Sequence, residues 1–557
     1  MPRPQGLALL CLLAACSSTT PRVAPPADHL EVDSPRAQLF DGLGSYGRTI
    51  TTSSPEAQAF FDQGLAWMYS FNHDEAIRSF ARAAELDPGC AMAWWGIAMC
   101  EGPNYNDPVL SDDRSAAAFG ALREALTRLD DESEVERGLV EALVSRYAEP
   151  WPDDRTELNE AYAAAMAELH ARFPDDPEVA TLYAESLMVL HPWELYEKNR
   201  TPVEGTAEIL AALEAVLAAH PENPGANHLY IHAVEPGRDP GRALEAADRL
   251  CDQVPASGHM NHMPSHIYVQ TGHWQRSIEQ NAAAMERDDA YLLASPDQLI
   301  QHMYMTHNAH MLAFSAMMIG QEEAAMAAAR GVWEGIPEQL LPGVAPFVDL
   351  WMASVYDVQK RFGRWDELLA EPAPPELLPI TTAIWRAHRA IALAAKQDLA
   401  GAEEEYRLFQ EARDAVPEDS VTGQDSTHRI LEVSDHFVRG ELALQQEDWE
   451  QAIEHLEAAV EVEDQLGYGE PPQWLQPTRH TLGAVQLEAG LPVDAERTYR
   501  EDLERWPGNG WSLLGLSRAL EAQGRAEEAA AVRREYGKAW SGAGREIGSS
   551  CLCLPGV

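Results

Sequence analysis

A spacing of 34 residues recurs along this chain and constrains its fold more than any other feature. Ala495 and Ala529 are 34 residues apart, and so are Gly483 and Ser517. A sequence period of about 20–50 residues is typical of repeat proteins, in which each short unit stacks on its neighbours. Small residues at equivalent positions allow antiparallel helices to approach closely. The spacing therefore predicts an array of helix pairs.

The residues inside one unit resemble a known repeat family. Large, small and aromatic residues occupy the first helix of the unit, small and aromatic residues occupy the second, and a proline follows. These residues are Phe60, Gly64 and Trp67, then Ala76, Phe80 and Ala83, and finally Pro88. This pattern resembles the tetratricopeptide repeat. The resemblance implies an all-α fold, a right-handed superhelix of antiparallel helix pairs. Insertions at 101–108 and 190–199 are expected to form loops at one end of the array.

The repeats and the composition between them predict a linear organisation. The expected segments are a lipoprotein signal peptide at 1–16, a flexible tether at 17–56, N-terminal repeats at 57–220, central histidine-rich repeats at 221–336, degenerate helical repeats at 337–432, C-terminal repeats at 433–540 and a disordered tail at 541–557.

Four histidines form two pairs with the same internal spacing. His228 and His232 are four residues apart, and His262 and His266 repeat this spacing 34 residues later. Two side chains at i and i+4 lie on the same face of a helix, and stacked repeats place equivalent positions side by side. The spacing predicts a cluster of four imidazoles. Pro264 interrupts the second pair and is expected to distort its helix.

Three more histidines fall on positions that line the concave groove of tetratricopeptide proteins. By that resemblance His259 and His307 take the second position of the first helix in their repeats, and His310 takes the fifth. All seven histidines are then expected to point into one groove.

Imidazole is the commonest metal-binding side chain in proteins, so this groove is a candidate transition-metal site. Three or four histidines suit zinc, and nearby methionines favour copper. Six or seven histidines have room for two ions, which resembles coupled dinuclear copper proteins in ligand type only. Glu235 lies three residues after His232 and is a candidate metal ligand, supporting residue or general base.

Two classes of function stay open. One is a metal-binding protein, including a metalloenzyme. The other is a scaffold that binds a peptide or an envelope protein in its groove without catalysis. The histidine-rich stretches resemble a group of secreted bacterial tetratricopeptide lipoproteins of unassigned activity, so the resemblance does not decide whether the chain is an enzyme.

The first residues predict export and lipid anchoring. Arg3 precedes an apolar run that is too short to span a bilayer, and this pattern is typical of a secretory signal. The sequence LAAC at 13–16 resembles the bacterial lipobox, which implies cleavage before Cys16 and lipidation of that cysteine. By resemblance, Ser17 implies the outer membrane, facing the periplasm or the exterior. An ordinary signal peptide with an incidental cysteine, or an unprocessed core helix, gives the same apolar pattern.

Charge excludes one class of partner. The chain has 89 acidic and 41 basic residues, a formal net charge of −48. Such a surface repels nucleic acid and anionic lipid, so the membrane is expected to be reached only through the anchor.

The remaining cysteines are few. Cys90 and Cys100 can pair in an oxidising envelope. The sequence CLC at 551–553 can bind a metal, although its position in the chain favours a disordered tail.

Overall fold

The chain folds into helices that are arranged in two compact units. A computed structural model describes residues 37–295 and 299–554. Backbone packing divides the chain into Met1–Pro264 and Ser265–Val557. The predicted all-α class is confirmed, since the regular structure outside the helices in this part of the chain is one hairpin of two-residue strands and an isolated bridge.

The first unit is a succession of short helices. They are α1 (Pro55–Tyr69), α2 (His73–Leu86), α3 (Ala91–Glu101), α4 (Asp112–Leu126), α5 (Glu134–Ala142), α6 (Thr156–Arg172), α7 (Pro177–Met188), α8 (Thr206–Ala219), α9 (Pro224–Val234), α10 (Leu244–Gln253) and α11 (Gly258–His262). Short 3₁₀ turns occupy Leu143–Ser145 and Pro240–Ala243. Consecutive helices such as α1 and α2, or α3 and α4, pack against each other.

The second unit continues in the same way. Its elements are α12 (Pro264–Gln270), α13 (Trp274–Ala294), α14 (Leu299–Met318), α15 (Glu322–Glu334), α16 (Leu341–Val348), α17 (Ser354–Arg361), α18 (Trp365–Ala370), α19 (Pro379–Ala395), α20 (Leu399–Ala415), β1 (Val421–Thr422), β2 (Asp425–Ser426), α21 (Thr427–Gln445), α22 (Trp449–Glu463), α23 (Thr478–Glu488), α24 (Pro492–Arg505), α25 (Gly510–Ala522) and α26 (Ala526–Ala539). A 3₁₀ turn spans Trp351–Ala353. The strands β1 and β2 are antiparallel, with Val421 opposite Ser426.

The repeats pack an aromatic ring between two glycines in each unit. A Cβ atom on Gly64 or on Gly96 would lie 2.6 Å from the ring of Phe80. At the other end of the chain, a Cβ on Gly483 or Gly515 would lie 2.5 or 2.1 Å from the ring of Tyr499. These distances are below van der Waals contact, so only glycine fits. The predicted close approach of neighbouring helices is confirmed at both ends.

Helix starts follow from local sequence. The side chains of Asn72, Asn223 and Asn509 each accept a hydrogen bond from a backbone N–H in the first turn of α2, α9 and α25. Such caps satisfy N–H groups that have no partner within the helix. Pro224 follows Asn223 at the first helical position, where its missing N–H has no cost.

The predicted flexible tether is wrong for residues 37–56. Arg48 forms a bidentate ion pair with Asp176, at 2.8 and 3.0 Å, and the backbone N–H of Thr51 donates to Glu136. The hydroxyls of Tyr46 and Tyr69 both donate to the buried carboxylate of Glu178. This segment is therefore attached to α5 and α7, and α1 begins inside the expected tether.

The predicted disordered tail is also wrong for residues 541–554. Cys551, Cys553 and Leu554 are buried, and Cys551 and Cys553 form a disulfide. Tyr499 and Ser550 share a hydrogen bond of 2.6 Å through their hydroxyls. Cys90 and Cys100 are free thiols, so the pairing that the sequence allowed for them does not occur.

Other expectations stay predictions. Cys16, the signal peptide and the first half of the tether, residues 17–36, lie outside the described residues. Within those residues, no helix combines the length and apolarity needed to cross a bilayer. The predicted subdivisions at 220, 336 and 432 are not tested by the division into two units.

Candidate metal centre

Three histidines of the first unit converge in its interior. His228 and His232 lie one turn apart on α9, and His259 lies on α11. Their exposed fractions are 0%, 1% and 5%. The spacing of four residues predicted that the first two would share a face, and their ring centroids are 4.9 Å apart. That part of the prediction is confirmed.

The third ring closes a triangle of imidazoles. The Nε2 atoms of His228 and His259 are 3.1 Å apart, and these two rings have centroids 4.9 Å apart. One ring nitrogen from each of the three histidines lies within 4.8 Å of the other two. Two nitrogens bound to one tetrahedral zinc ion at 2.0–2.1 Å are about 3.3 Å apart. The triangle therefore has dimensions compatible with a shared ion.

Hydrogen bonds fix the tautomer of two of the rings. The Nδ1–H of His228 donates to the backbone carbonyl of Tyr69 at 2.6 Å, and that of His232 donates to the carboxylate of Glu235 at 2.9 Å. A neutral imidazole that donates through Nδ1 presents a lone pair at Nε2. Metal-binding histidines usually have this kind of support on the opposite nitrogen.

Glu235 belongs to this support. Its carboxylate is completely buried and contacts Nδ1 of His232, the nitrogen on the far side of the ring from Nε2. Of the three roles that the sequence left open for this residue, orientation of His232 is the one that the contact favours. A role as general base stays a prediction.

Aromatic side chains that no sequence pattern indicated surround the triangle. The ring of Phe71 lies 4.5, 6.0 and 5.8 Å from the rings of His228, His232 and His259. The rings of Tyr105 and Trp193 lie 5.4 and 5.5 Å from that of His232. Such walls limit water and strengthen electrostatic interactions inside a site.

Phe71 adopts a backbone conformation that costs a bulky residue free energy. Its φ is +54°, in the turn between α1 and α2, where the N–H of Asn72 donates to the carbonyl of Trp67. Glycine takes the equivalent place in most turns of this kind, at Gly272, Gly320, Gly363, Gly490 and Gly524. The left-handed conformation costs a residue with a Cβ roughly 1–2 kcal/mol. Gln397 and Glu447 take the same place after α19 and α21, so a residue other than glycine at this turn does not by itself identify a site.

The fourth predicted histidine of the first unit lies next to the triangle. His262 is buried in the first unit, with its ring 6.1 Å from that of His259. Pro264 does interrupt the second pair: α11 ends at His262 and α12 begins at Pro264. His228 and His232 therefore share one continuous helix, whereas His262 and His266 do not.

The second unit contains the last three predicted histidines. Two of them, His266 and His307, are neighbours, and His307 and His310 both lie beside Trp351. The rings of His266 and His307 are 6.0 Å apart, and the rings of His307 and His310 lie 5.5 and 5.9 Å from that of Trp351. Burial lowers the pKa of His310 to about 3, so that this ring is neutral at physiological pH. The predicted convergence of all seven histidines involves both units and stays a prediction.

Comparisons with known proteins identify the repeats at both ends. Residues 56–101 and 480–543 match the family model described as tetratricopeptide repeat. No curated protein matches the chain.

Solved structures give distant likenesses. The human IFIT1 dimer with PPP-AAAA is 15% identical, over 87% of this chain and 91% of that chain, with a TM-score of 0.30. The APC/C hetero-tetramer Cut9–Hcn1 is 13% identical, over 83% and 76%, with a TM-score of 0.29. The P58(IPK) TPR domain is 12% identical, over 85% and 99%, with a TM-score of 0.22. Likenesses at this level carry no argument about the site.

Proposed function

The chain is a tetratricopeptide repeat protein, and we propose that its first unit binds a transition-metal ion, zinc or copper, through His228, His232 and His259. The observation that carries the proposal is the approach of three buried imidazoles, two of which have tautomers fixed from outside. His228 and His232 both donate through Nδ1, and the Nε2 of His228 faces the Nε2 of His259 at 3.1 Å.

Two arrangements are chemically consistent with that contact. Two lone pairs that face each other at this distance repel unless a cation or a proton lies between them. A metal ion satisfies all three imidazoles together, whereas a proton on Nε2 of His259 satisfies only the pair with His228. The participation of His232, with a carboxylate held against its Nδ1, favours the metal.

A set of three imidazoles suits several metals, and the number of protein ligands indicates which reactions a bound metal could support. Three imidazoles are a common ligand set for zinc and are also compatible with copper, nickel and iron. Three protein ligands leave a fourth position, where zinc enzymes bind water or substrate. A metalloenzyme remains part of the proposal on this ground alone, with Glu235 and the aromatic walls orienting the ligands and limiting water.

Metal content of purified variants tests the proposal. The protein is produced without a histidine tag, and metals are measured by inductively coupled plasma mass spectrometry. We expect about one equivalent of zinc or copper per chain, and its loss in the variant His232→Ala/His259→Ala, because one remaining imidazole binds too weakly.

A matched control is available in the second unit. His436 and His455 are also neighbours, with ring centroids 6.1 Å apart. The variant His436→Ala/His455→Ala should keep its metal. Equal metal in both double variants, or none in the unmodified protein, would contradict the proposal.

A second candidate function is binding of a peptide or protein. Arrays of helical repeats present extended surfaces for partners, and the net charge of −48 favours a partner with basic segments. This role is compatible with the metal site. Capture of a basic peptide that persists in the His232→Ala/His259→Ala variant would show that the two functions are separate.

The proposed location is the bacterial envelope, through a lipid on Cys16. The support is the sequence LAAC at 13–16 and the apolar run before it. The protein should fractionate with membranes, and the variant Cys16→Ser should be released or remain unprocessed. An unchanged distribution of this variant would remove the anchor from the proposal.

A further inference from the structure

A group of side chains of the kinds that bind metals lies in the second unit, far along the chain from His228, His232 and His259. Cys551, Cys553 and Glu441 are all buried, with exposed fractions of 3%, 4% and 2%. One ligand atom from each of them lies within 4.8 Å of the other two. The two cysteines form a disulfide and are separated by a single residue.

The C-terminal segment is held in place by side chains from other helices of the unit. The side-chain amide of Gln445 donates to the carbonyl of Cys553 at 2.5 Å, and Arg361 donates to the carbonyl of Ser550 at 3.3 Å. The hydroxyl of Thr481 donates to Sγ of Cys551 at 3.5 Å. These contacts do not depend on the disulfide, so the segment has other means of staying docked.

Glu441 is the side chain that packing does not explain. Its Oε1 lies 3.9 Å from Sγ of Cys551, and its Oε2 has no hydrogen-bond partner within residues 37–295 and 299–554. A buried carboxyl oxygen without a donor costs roughly 1–3 kcal/mol. A hydrophobic residue would fill the same place without that cost. The carboxylate therefore points to a ligand beside the sulfur atoms.

The surrounding charge suits an anionic set of ligands. The Lys360 side chain is buried, and its ammonium group lies 4.6 Å from the ring centroids of both Phe437 and Trp474. It interacts electrostatically with Glu441 and forms an ion pair of 3.8 Å with Asp357. A positive group inside the protein offsets part of the negative charge that two thiolates and a carboxylate would bring together.

We infer that, when the disulfide is reduced, Cys551, Cys553 and Glu441 bind one thiophilic divalent cation such as zinc. A dithiol or a phosphine supplies two electrons to the S–S bond and is itself oxidised, and with two protons the sulfur atoms become two thiols. The cation then displaces the two thiol protons and the proton of the Glu441 carboxyl group, and forms two metal–sulfur bonds and one metal–oxygen bond. Thiolates suit zinc, and a carboxylate oxygen is one of its ordinary ligands. Oxidation releases the cation, so the site binds metal only under reducing conditions.

Cadmium is the probe that tests this site, because cadmium–thiolate bonds give an ultraviolet charge-transfer absorption that imidazole ligands lack. The protein carries the His232→Ala/His259→Ala changes, which remove the proposed histidine site. After reduction with tris(2-carboxyethyl)phosphine and removal of the phosphine, we expect one equivalent of Cd²⁺ to bind with this absorption. The disulfide form should not bind it.

Two variants distinguish the site from unspecific thiol binding. Cys551→Ser/Cys553→Ser should abolish the absorption, and Glu441→Gln should weaken binding at least tenfold while the disulfide still forms. Cys251→Ser, at a half-buried cysteine of the first unit that forms no disulfide, is the matched control and should bind as the parent does.

Any of three results would overturn the inference. The first is reduced protein that binds cadmium without the charge-transfer absorption or does not bind it. The second is persistence of the absorption in Cys551→Ser/Cys553→Ser. The third is loss of helical circular dichroism on reduction alone, which would make the disulfide a structural bond. None of these results bears on the histidine site.

Discussion

The two ends of the chain use the same packing but differ at one turn. Phe80 lies between Gly64 and Gly96 in the first unit, and Tyr499 lies between Gly483 and Gly515 in the second. The turns that follow α1 and α23 have the same hydrogen bond, from Asn72 to Trp67 and from Leu491 to Gln486.

The two turns differ in the residue that takes the left-handed conformation. It is Gly490 after α23 and Phe71 after α1, with φ of +76° and +54°. The glycine has open space around it, whereas the phenylalanine contacts the three histidines. The repeat therefore supplies the framework, and the site is added to it at the cost of a strained backbone at one turn.

The largest expected effect tests the shared packing. Gly64→Ala and Gly515→Ala should each destabilise their unit by about 2 kcal/mol, because the added Cβ would lie 2.6 or 2.1 Å from an aromatic ring. Thermal unfolding followed by circular dichroism measures this loss.

Glycines with open space are the controls for that prediction. Gly120 in α4 and Gly537 in α26 have no atom within 4 Å of the place that a Cβ would occupy, so alanine there should stabilise by about 0.5–1 kcal/mol through helix propensity. Equal effects at all four glycines would show that the rings do not control helix approach.

An exchange of turn residues tests the difference between the ends. Phe71→Gly should weaken metal binding by about tenfold, because the ring covers all three imidazoles. Its stability should change by only about 1 kcal/mol, since relief of the backbone offsets part of the lost ring burial. Metal titration and thermal unfolding measure the two effects.

The reverse change isolates the backbone term. Gly490→Phe should cost about 1–2 kcal/mol and leave metal binding unchanged, since its side chain meets open space. Unchanged metal affinity in Phe71→Gly would remove the role assigned to the aromatic ring.

The smallest expected effect is a pH dependence at the same turn. Burial lowers the pKa of His73 to about 3, and the ring contacts the carbonyl of Cys100. Below about pH 6.5 the His73 imidazole binds a proton in the unfolded chain but stays neutral in the folded chain. The free energy of unfolding is therefore unaffected by this histidine above about pH 6.5, and it decreases as the pH falls from 6.5 towards 3.

Between pH 7 and pH 5 this loss should be about 1 kcal/mol after allowance for partial exposure of the ring. His73→Asn keeps a donor for the carbonyl and removes the titration. Its stability should fall less over this interval when urea unfolding is compared at the two pH values. Identical slopes in both proteins would exclude His73 as the source.

Local sequence patterns predicted the fold because each repeat contains the small and aromatic residues that indicate its own helix pair. The small residues at 34-residue spacing and the run from Phe60 to Pro88 indicated helix pairs, and the structure has them. The tail was misread because its contacts are remote: Ser550 and Cys553 are held by Arg361 and Gln445, more than 100 residues earlier. Short segments without periodicity give no sign of such docking.

Only the part of the histidine site that depends on local spacing and on the repeat alignment was predicted from the sequence. His228 and His232 share a helix, so their spacing determined their relation. Phe71, Tyr105 and Trp193 come from distant turns and loops, and only the tertiary structure places them beside His232. His259 was placed in the groove by the repeat alignment, and the structure brings its ring to within 4.9 Å of that of His228.

X-ray absorption at the metal edge of untagged protein tests the central claim most directly. We predict zinc or copper with imidazole nitrogens at about 2.0–2.1 Å, a signal that disappears in His232→Ala/His259→Ala and persists in His436→Ala/His455→Ala. Protein that retains no metal after purification and metal titration, or a metal whose ligands are unchanged in the His232→Ala/His259→Ala variant, would contradict it.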